Sequence, residues 1–236
     1  MTDFPFRIVG FDLDGTLLDT HADLGHALNH ALGVAGREPV PLDLARSYIG
    51  GGARQMLDRA LKESSGPGDL DLRALHAAFI EFYSANIAVH TRLFPGGEAM
   101  LDALDGHGVK IALVTNKLES LARSLLGELG LTDRFATIIG GDTLGPGRAK
   151  PQPDLLHLMV ERLGGGRAAY VGDTTFDTGA ARAAGLPCVA VSFGFNDLPV
   201  HELGADTVID HFDDLVPALN RLQKSNCARM PIESAE

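Results

Sequence analysis

A chain of 236 residues is long enough for one large domain, or for a domain carrying a smaller module. A formal net charge of −11 and 45% hydrophobic residues describe a soluble globular protein and argue against nucleic acid or an anionic membrane as partner. Two cysteines, Cys188 and Cys227, offer neither a disulfide framework nor metal-ligand spacing; with no signal-peptide pattern and no run near the roughly 18–20 apolar residues of a membrane span, a cytoplasmic protein is expected.

The first predicted element is a strand, "RIVGF" over 7–11, which runs into "DLDGT". Asp12 and Asp14 therefore stand two residues apart at a strand end, followed by Gly15 and Thr16. Like charges this close repel, and burial makes each costlier to ionise, so either water solvates them or a cation and a reaction require them. An EF-hand calcium loop is excluded, because Gly15 arrives too early.

Roughly ninety residues without a convincing strand follow, far beyond an ordinary βα connection. Their periodicity predicts helices over about 19–34, 52–64 and 70–89, with "SSGPGDLD" as a loop, and the chain returns at "RLFPGG" over 92–97. The expected division is a discontinuous core, 1–18 and 92–224, with a helical cap over 19–91 set as a lid above the strand ends. Met56, Leu57, Phe79, Phe82 and Tyr83 read as the cap's own core, and His21 and His90 as linker or surface residues. In "GGGARQML", Gly50–Gly52 would let backbone approach a ligand or merely break a helix. Arg54 is either a solvated helix residue or a cation able to hold a carboxylate by two parallel hydrogen bonds.

Further strands are predicted at 110–115, 135–140, 168–172, 187–192 and 206–209, alternating with helices over 119–130, 153–164 and 176–185. That rhythm is an α/β fold, a parallel sheet covered on both faces. Three more strand-end turns carry polar groups: "LVTNK" with Thr115, Asn116 and Lys117, "AKPQP" with Lys150, and "VGDTTFD" with Asp173 and Asp177. Singly these could be turn residues, a solvated lysine and a helix cap. Parallel strands bring them to one sheet edge, where several aspartates suit Mg²⁺ and the lysine and hydroxyl suit a phosphate. A carboxylate beside such a cation can attack phosphorus. The tail over 225–236 lacks periodicity and is expected to be disordered.

The motifs "DLDGT", "VTN", "KP" and "GDTTFD", in that order within 7–219, resemble the haloacid dehalogenase-like superfamily. The helices before "FPGG" resemble its smaller helical cap, and "VTNKLESLARSLLGELGL" and "YVGDTTFDTGAARAAGLPCVAV" are similar to bacterial phosphoglycolate phosphatases. The resemblance implies a Rossmann-like parallel core with a helical cap and a Mg²⁺-dependent phosphatase of a small phosphorylated metabolite, foremost 2-phosphoglycolate. It implies that Asp12 forms an aspartyl-phosphate and that Asp14 protonates the leaving alkoxide and then activates water. Asp12, Asp173 and the Asp14 carbonyl would bind the metal, and Thr115, Lys150 and N–H groups around Asn116 would hold the phosphoryl group. Asp177 would orient Lys150 or metal-bound water, while Arg54 or Lys117 would meet the substrate's carboxylate. Asp14 disfavours a dehalogenase; Thr16 makes a hydrolase a better fit than a sugar phosphomutase, the alternative. A non-catalytic binding module is a third reading, and monomer or homodimer is left open.

Overall fold

In the computed structural model, which describes residues 4–64, 66 and 68–227, the chain opens with β1 (Ile8–Phe11) and a two-residue strand, β2 (Leu18–Asp19). Helices α1 (His21–Val34), α2 (Leu42–Arg46), α3 (Ala53–Glu63) and α4 (Leu72–Ala85) follow, and the chain returns through β3 (Arg92–Leu93), antiparallel to β2. The remainder is α5 (Gly97–Gly106), β4 (Lys110–Val114), α6 (Glu119–Glu128), β5 (Thr137–Ile139), α7 (Asp154–Arg162), β6 (Ala168–Gly172), α8 (Thr175–Ala183), β7 (Cys188–Val191), β8 (Thr207–Ile209) and α9 (Leu215–Cys227).

Six of the strands form one parallel sheet in the order β5-β4-β1-β6-β7-β8. All four residues of β1 are buried, and alternate side chains serve opposite faces. Val9 and Phe11 join Ile111, Leu113, Val171 and Val189 beneath α5 and α9, whereas Ile8 joins Ala112, Val114, Tyr170 and Cys188 beneath α7 and α8. A sheet buried on both faces accounts for the near-continuous apolar strands. From β1 the chain steps outward through β4 to β5, then crosses to the other side of β1 and steps outward through β6, β7 and β8. The direction reverses between β1 and β6, and ligands bind outside the carboxyl ends of strands at such a reversal.

Helices α1 to α4 pack on one another, and their apolar residues Leu24, Met56, Phe79 and Tyr83 continue the cluster on one sheet face. The pair β2–β3 lies within the interval read as strand-free; two-residue strands carry no alternation to detect. Because Leu18 and Asp19 are extended, α1 starts at His21, and Asp23 ties the return to it. The buried Asp23 carboxylate accepts from the N–H groups of His90 (3.0 Å) and Thr91 (2.9 Å) and from the Thr91 hydroxyl (2.8 Å). The helix predicted over 70–89 ends at Ala85, and α2, α5 and α9 were not anticipated. Of the tail expected to be disordered, residues 225–227 continue α9, anchored upstream by buried Leu215, Ala218, Leu219 and Leu222 at helical spacing. Residues 228–236, and 65 and 67 of the predicted loop, lie outside the described residues. Among the described residues no helix is long and apolar enough to cross a membrane.

Candidate active site

The backbone N–H of Asp12 donates to the Val171 carbonyl (2.9 Å), carrying the β1–β6 pairing one residue past the strand. The chain then turns, closed by the Gly15 N–H on the Leu18 carbonyl (2.9 Å) and the Leu18 N–H on the Leu13 carbonyl (2.9 Å). Gly15 has φ +87°, and a Cβ there would lie 2.3 Å from Asp173 Oδ2, so only glycine fits. Next to it the Thr16 hydroxyl donates to Asp173 Oδ1 (2.8 Å), and the Phe195 N–H donates to Asp173 Oδ2 (2.7 Å). The loops after β1, β6 and β7 thus converge on one buried carboxylate.

Lys150 is buried within the same sheet edge. Its Nζ donates to Asp177 Oδ1 (2.7 Å) and to the Tyr170 hydroxyl (2.9 Å), and lies 2.8 Å from Asp12 Oδ1 in an ion pair. The Tyr170 hydroxyl in turn donates to the Val114 carbonyl (2.6 Å), joining β6 to β4. Asp177 also closes the capping box of α8, its Oδ2 accepting from the Thr174 N–H (3.0 Å) and hydroxyl (2.7 Å). The Asn116 side chain fixes the Lys150 loop: Oδ1 accepts from the Lys150 N–H (2.9 Å), and Nδ2 donates to the carbonyls of Lys150 and Gly50 (both 3.1 Å).

Carboxylate oxygens of Asp12, Asp173 and Asp177 lie within 4.8 Å of one another. Burial raises the Asp12 carboxyl to about 6, with Lys150 opposing and Asp177 adding to the rise. Burial, then Asp177 and Asp12, holds Asp173 well above the usual carboxylate range. Among the described residues Asp12 Oδ1 has the Lys150 ion pair against it but no well-aligned hydrogen bond. Crowded, desolvated hard oxygens with one lysine against them fit a hard divalent cation, which would relieve their repulsion.

A cavity of about 440 Å³ opens from this edge toward the helices, lined by Asp12, Asp14 and Thr115 on one side and by Ile49, Met56 and Phe79 on the other. Asp14 stands apart from the three clustered carboxylates: both its oxygens accept from Lys117 Nζ (2.8 Å each), and that ammonium lies 4.7 Å from the Tyr83 ring centroid. Burial alone would push the Lys117 ammonium down, but the Asp14 carboxylate outweighs it and the pKa is raised. Thr115 is buried, its N–H donating to the Ile139 carbonyl (3.0 Å) and its hydroxyl accepting from the Lys117 N–H (3.2 Å). Arg54 is exposed at the cavity wall beside His76, which burial and the Arg54 charge hold below its ordinary pKa.

Asp12, Asp173, Asp177, Lys150 and Thr16 therefore meet directly, with Asp14, Thr115 and Lys117 adjoining them. Lys117, read as a cation for substrate, is engaged by Asp14, and the Asn116 amide by backbone. Met56, Leu57, Phe79 and Tyr83 are buried, but Met56, Phe79 and Tyr83 also line the cavity; Phe82 is half-buried and stacks on His30. His21 pairs with Asp19 at the junction, and His90 is exposed. Sequence reasoning missed the support from Phe195 and Tyr170. Phe195 lies just past β7 in "SFGFND", another strand end rich in turn residues, so the same rule could have found it. It also missed Arg46, whose guanidinium donates to the Gly194 carbonyl (2.7 Å) and lies 5.1 Å from the Phe195 ring centroid. No local signal marks a partner 148 positions away.

The family model for haloacid dehalogenase-like hydrolases matches residues 9–191. The phosphoglycolate phosphatase of Agrobacterium fabrum is 45% identical over 215 residues, covering 89% of this chain and 90% of that protein. That of Caulobacter vibrioides is 41% identical over 213 residues, covering 89% of each. The crystal structure of a predicted phosphoglycolate phosphatase from Haemophilus somnus superposes with a TM-score of 0.85 at 28% identity, over 91% of this chain and 98% of that one.

Proposed function

The chain belongs to the haloacid dehalogenase-like hydrolases and is a phosphomonoester hydrolase, and from that premise we propose that it hydrolyses 2-phosphoglycolate to glycolate and phosphate through an aspartyl-phosphate. The observation that carries this reading is Asp12: a buried carboxylate at the strand-order reversal, facing the cavity between sheet edge and helices, with Lys150 beside it. An Asp12 oxygen forms a bond to phosphorus as the bond from phosphorus to the glycolate oxygen breaks, and Asp14 gives that oxygen its proton. Asp14 then takes a proton from water, whose oxygen bonds to phosphorus as the Asp12–phosphorus bond breaks, releasing phosphate.

Positioning and charge neutralisation carry most of such a transfer. Lys150 and the Thr115 hydroxyl hold the phosphoryl oxygens. The backbone N–H groups of Leu13, Asp14 and Asn116, which have no acceptor among the described residues, add donors at the same edge. Asp12, Asp173 and the Asp14 carbonyl would hold Mg²⁺, which supplies charge neutralisation between nucleophile and phosphoryl group. Asp177 keeps Lys150 in place, and the helices α1–α4, as a cap, exclude water from the cavity.

Two features support a carboxylated substrate: the names of the relatives, and the cations Lys117 and Arg54 at the cavity wall. The test is a phosphate-release screen with Mg²⁺ over 2-phosphoglycolate, sugar phosphates, nucleotides and pyrophosphate. Preference for 2-phosphoglycolate is expected. Preference for another ester would replace the substrate, and isomerised sugar phosphate without free phosphate would replace hydrolysis by mutase chemistry.

A further inference from the structure

Tyr83, on α4, is 1% exposed, and its hydroxyl has no well-aligned hydrogen-bond partner among the described residues; the Lys117 ammonium close to its oxygen can only donate, so the phenol's own proton has no acceptor. Buried hydroxyls are almost always paired, because leaving one unpaired forfeits its hydration for nothing. The ring has an evident use, since it fills apolar space beside Phe79 and offers its face to Lys117 at 4.7 Å. A phenylalanine would serve both purposes. The oxygen is left over, and Tyr83 lines the cavity that Asp12 and Lys150's neighbours also line. Burial pushes the phenol up to about 12, so at neutral pH it is a proton donor in search of an acceptor. The Lys117 ammonium beside it is spent on both oxygens of Asp14, a carboxylate that must itself face the leaving oxygen of a substrate.

We propose that the Tyr83 hydroxyl and the Lys117 ammonium together recognise the substrate's second anionic group, its carboxylate, an inference that rests on the reading of this site as a phosphatase of a small carboxylated phosphomonoester. A carboxylate entering between them accepts one hydrogen bond from the phenol and one from the ammonium. It draws Lys117 off Asp14, turning the Asp14 oxygens toward the leaving group, so recognition at one end of the substrate prepares the other. An ester lacking a carboxylate leaves Lys117 on Asp14 and the Tyr83 hydroxyl unpaired, and the site discriminates against it as sites with unmet polar groups do.

The experiment compares wild type and Tyr83→Phe on 2-phosphoglycolate and on ethyl phosphate, with Mg²⁺ present and Tm measured for both proteins. In wild type, kcat/KM should favour 2-phosphoglycolate. In Tyr83→Phe that ratio should fall about tenfold through a higher KM for 2-phosphoglycolate, with Tm unchanged or raised. A preference that Tyr83→Phe keeps in full, or equal losses on both esters, overturns the pair while sparing the substrate reading. A wild type that does not prefer 2-phosphoglycolate overturns the substrate reading and the pair with it.

Discussion

The two walls of the cavity are built differently. On the sheet side, Asp173 has a donor on each oxygen, Asp177 caps a helix and holds a lysine, and Lys150 meets Asp12, Asp177 and Tyr170. On the helical side, the Tyr83 hydroxyl and Gln55 Oε1 have no well-aligned hydrogen-bond partner among the described residues, and Arg54 is exposed. Groups that move charge gain from being held before substrate arrives, since no reorganisation is then needed in the transition state. Groups that recognise a substrate are completed by it, and their unmet hydrogen bonds are what reject the wrong one.

The harshest test of the sheet side is Asp12→Asn. Phosphate release should fall by about 10³-fold or more while the fold persists, and substantial residual activity would remove Asp12 as nucleophile. EDTA should produce a comparable loss that Mg²⁺ reverses; a rate indifferent to chelation would remove the metal from the reaction.

Lys150→Met leaves Asp12 and Asp177 crowded without their cation. Breaking such a buried set should cost about 3–5 kcal/mol, seen as a Tm lower by roughly 10 °C, together with loss of activity. A variant as stable as wild type would show that the sheet side is held less tightly than its contacts imply. Gly15→Ala, forced to adopt φ +87° with its Cβ on Asp173, should lose about 1–3 kcal/mol in chemical denaturation and weaken turnover alongside.

Asp12 also makes metal-free stability depend on pH. Its carboxyl titrates near 3.8 when unfolded and at about 6 when folded. The folded state therefore binds the proton more tightly, and the stability this contributes is fully present below pH 3.8 and lost as pH rises through 6. Melts in EDTA should show wild type losing on the order of 1–3 kcal/mol relative to Asp12→Asn across that window. Parallel curves would refute the strained carboxylate. The smallest effect belongs to the helical side: Arg54→Met should raise KM for 2-phosphoglycolate by no more than about fivefold, since an exposed cation is screened. A larger change would give Arg54 a larger share in recognition than an exposed, screened cation should have.

Much of the sheet side was legible because its signals are local. "FDLDGT", "VTN" and "VGDTTFD" each follow an apolar β-branched run, and a parallel sheet aligns the carboxyl ends of its strands whatever the loops do. The strands β1, β4, β6 and β7 lie where the pattern places them. Elements with weak or short signals escaped: β2 and β3 are two residues each, α2 is five, and α9, which was not predicted, runs into the polar stretch read as a disordered tail. On the helical side, Tyr83 was legible only as an apolar helix position, because periodicity distinguishes a buried face from an exposed one but not a core from a cavity wall.

The sequence alone determined the alternation of strands and helices, the residue types at each strand end, and so the class of chemistry available there. Only the tertiary structure decided which of those groups pair: that Lys117 rests on Asp14, that Thr16 and Phe195 hold Asp173, that Arg46 reaches Gly194, and that the Tyr83 hydroxyl finds no acceptor among the described residues. Local pattern follows from backbone geometry and burial over a few neighbouring residues. Pairing across 103 positions, as between Asp14 and Lys117, follows from how the layers close, and no short stretch of chain carries that information.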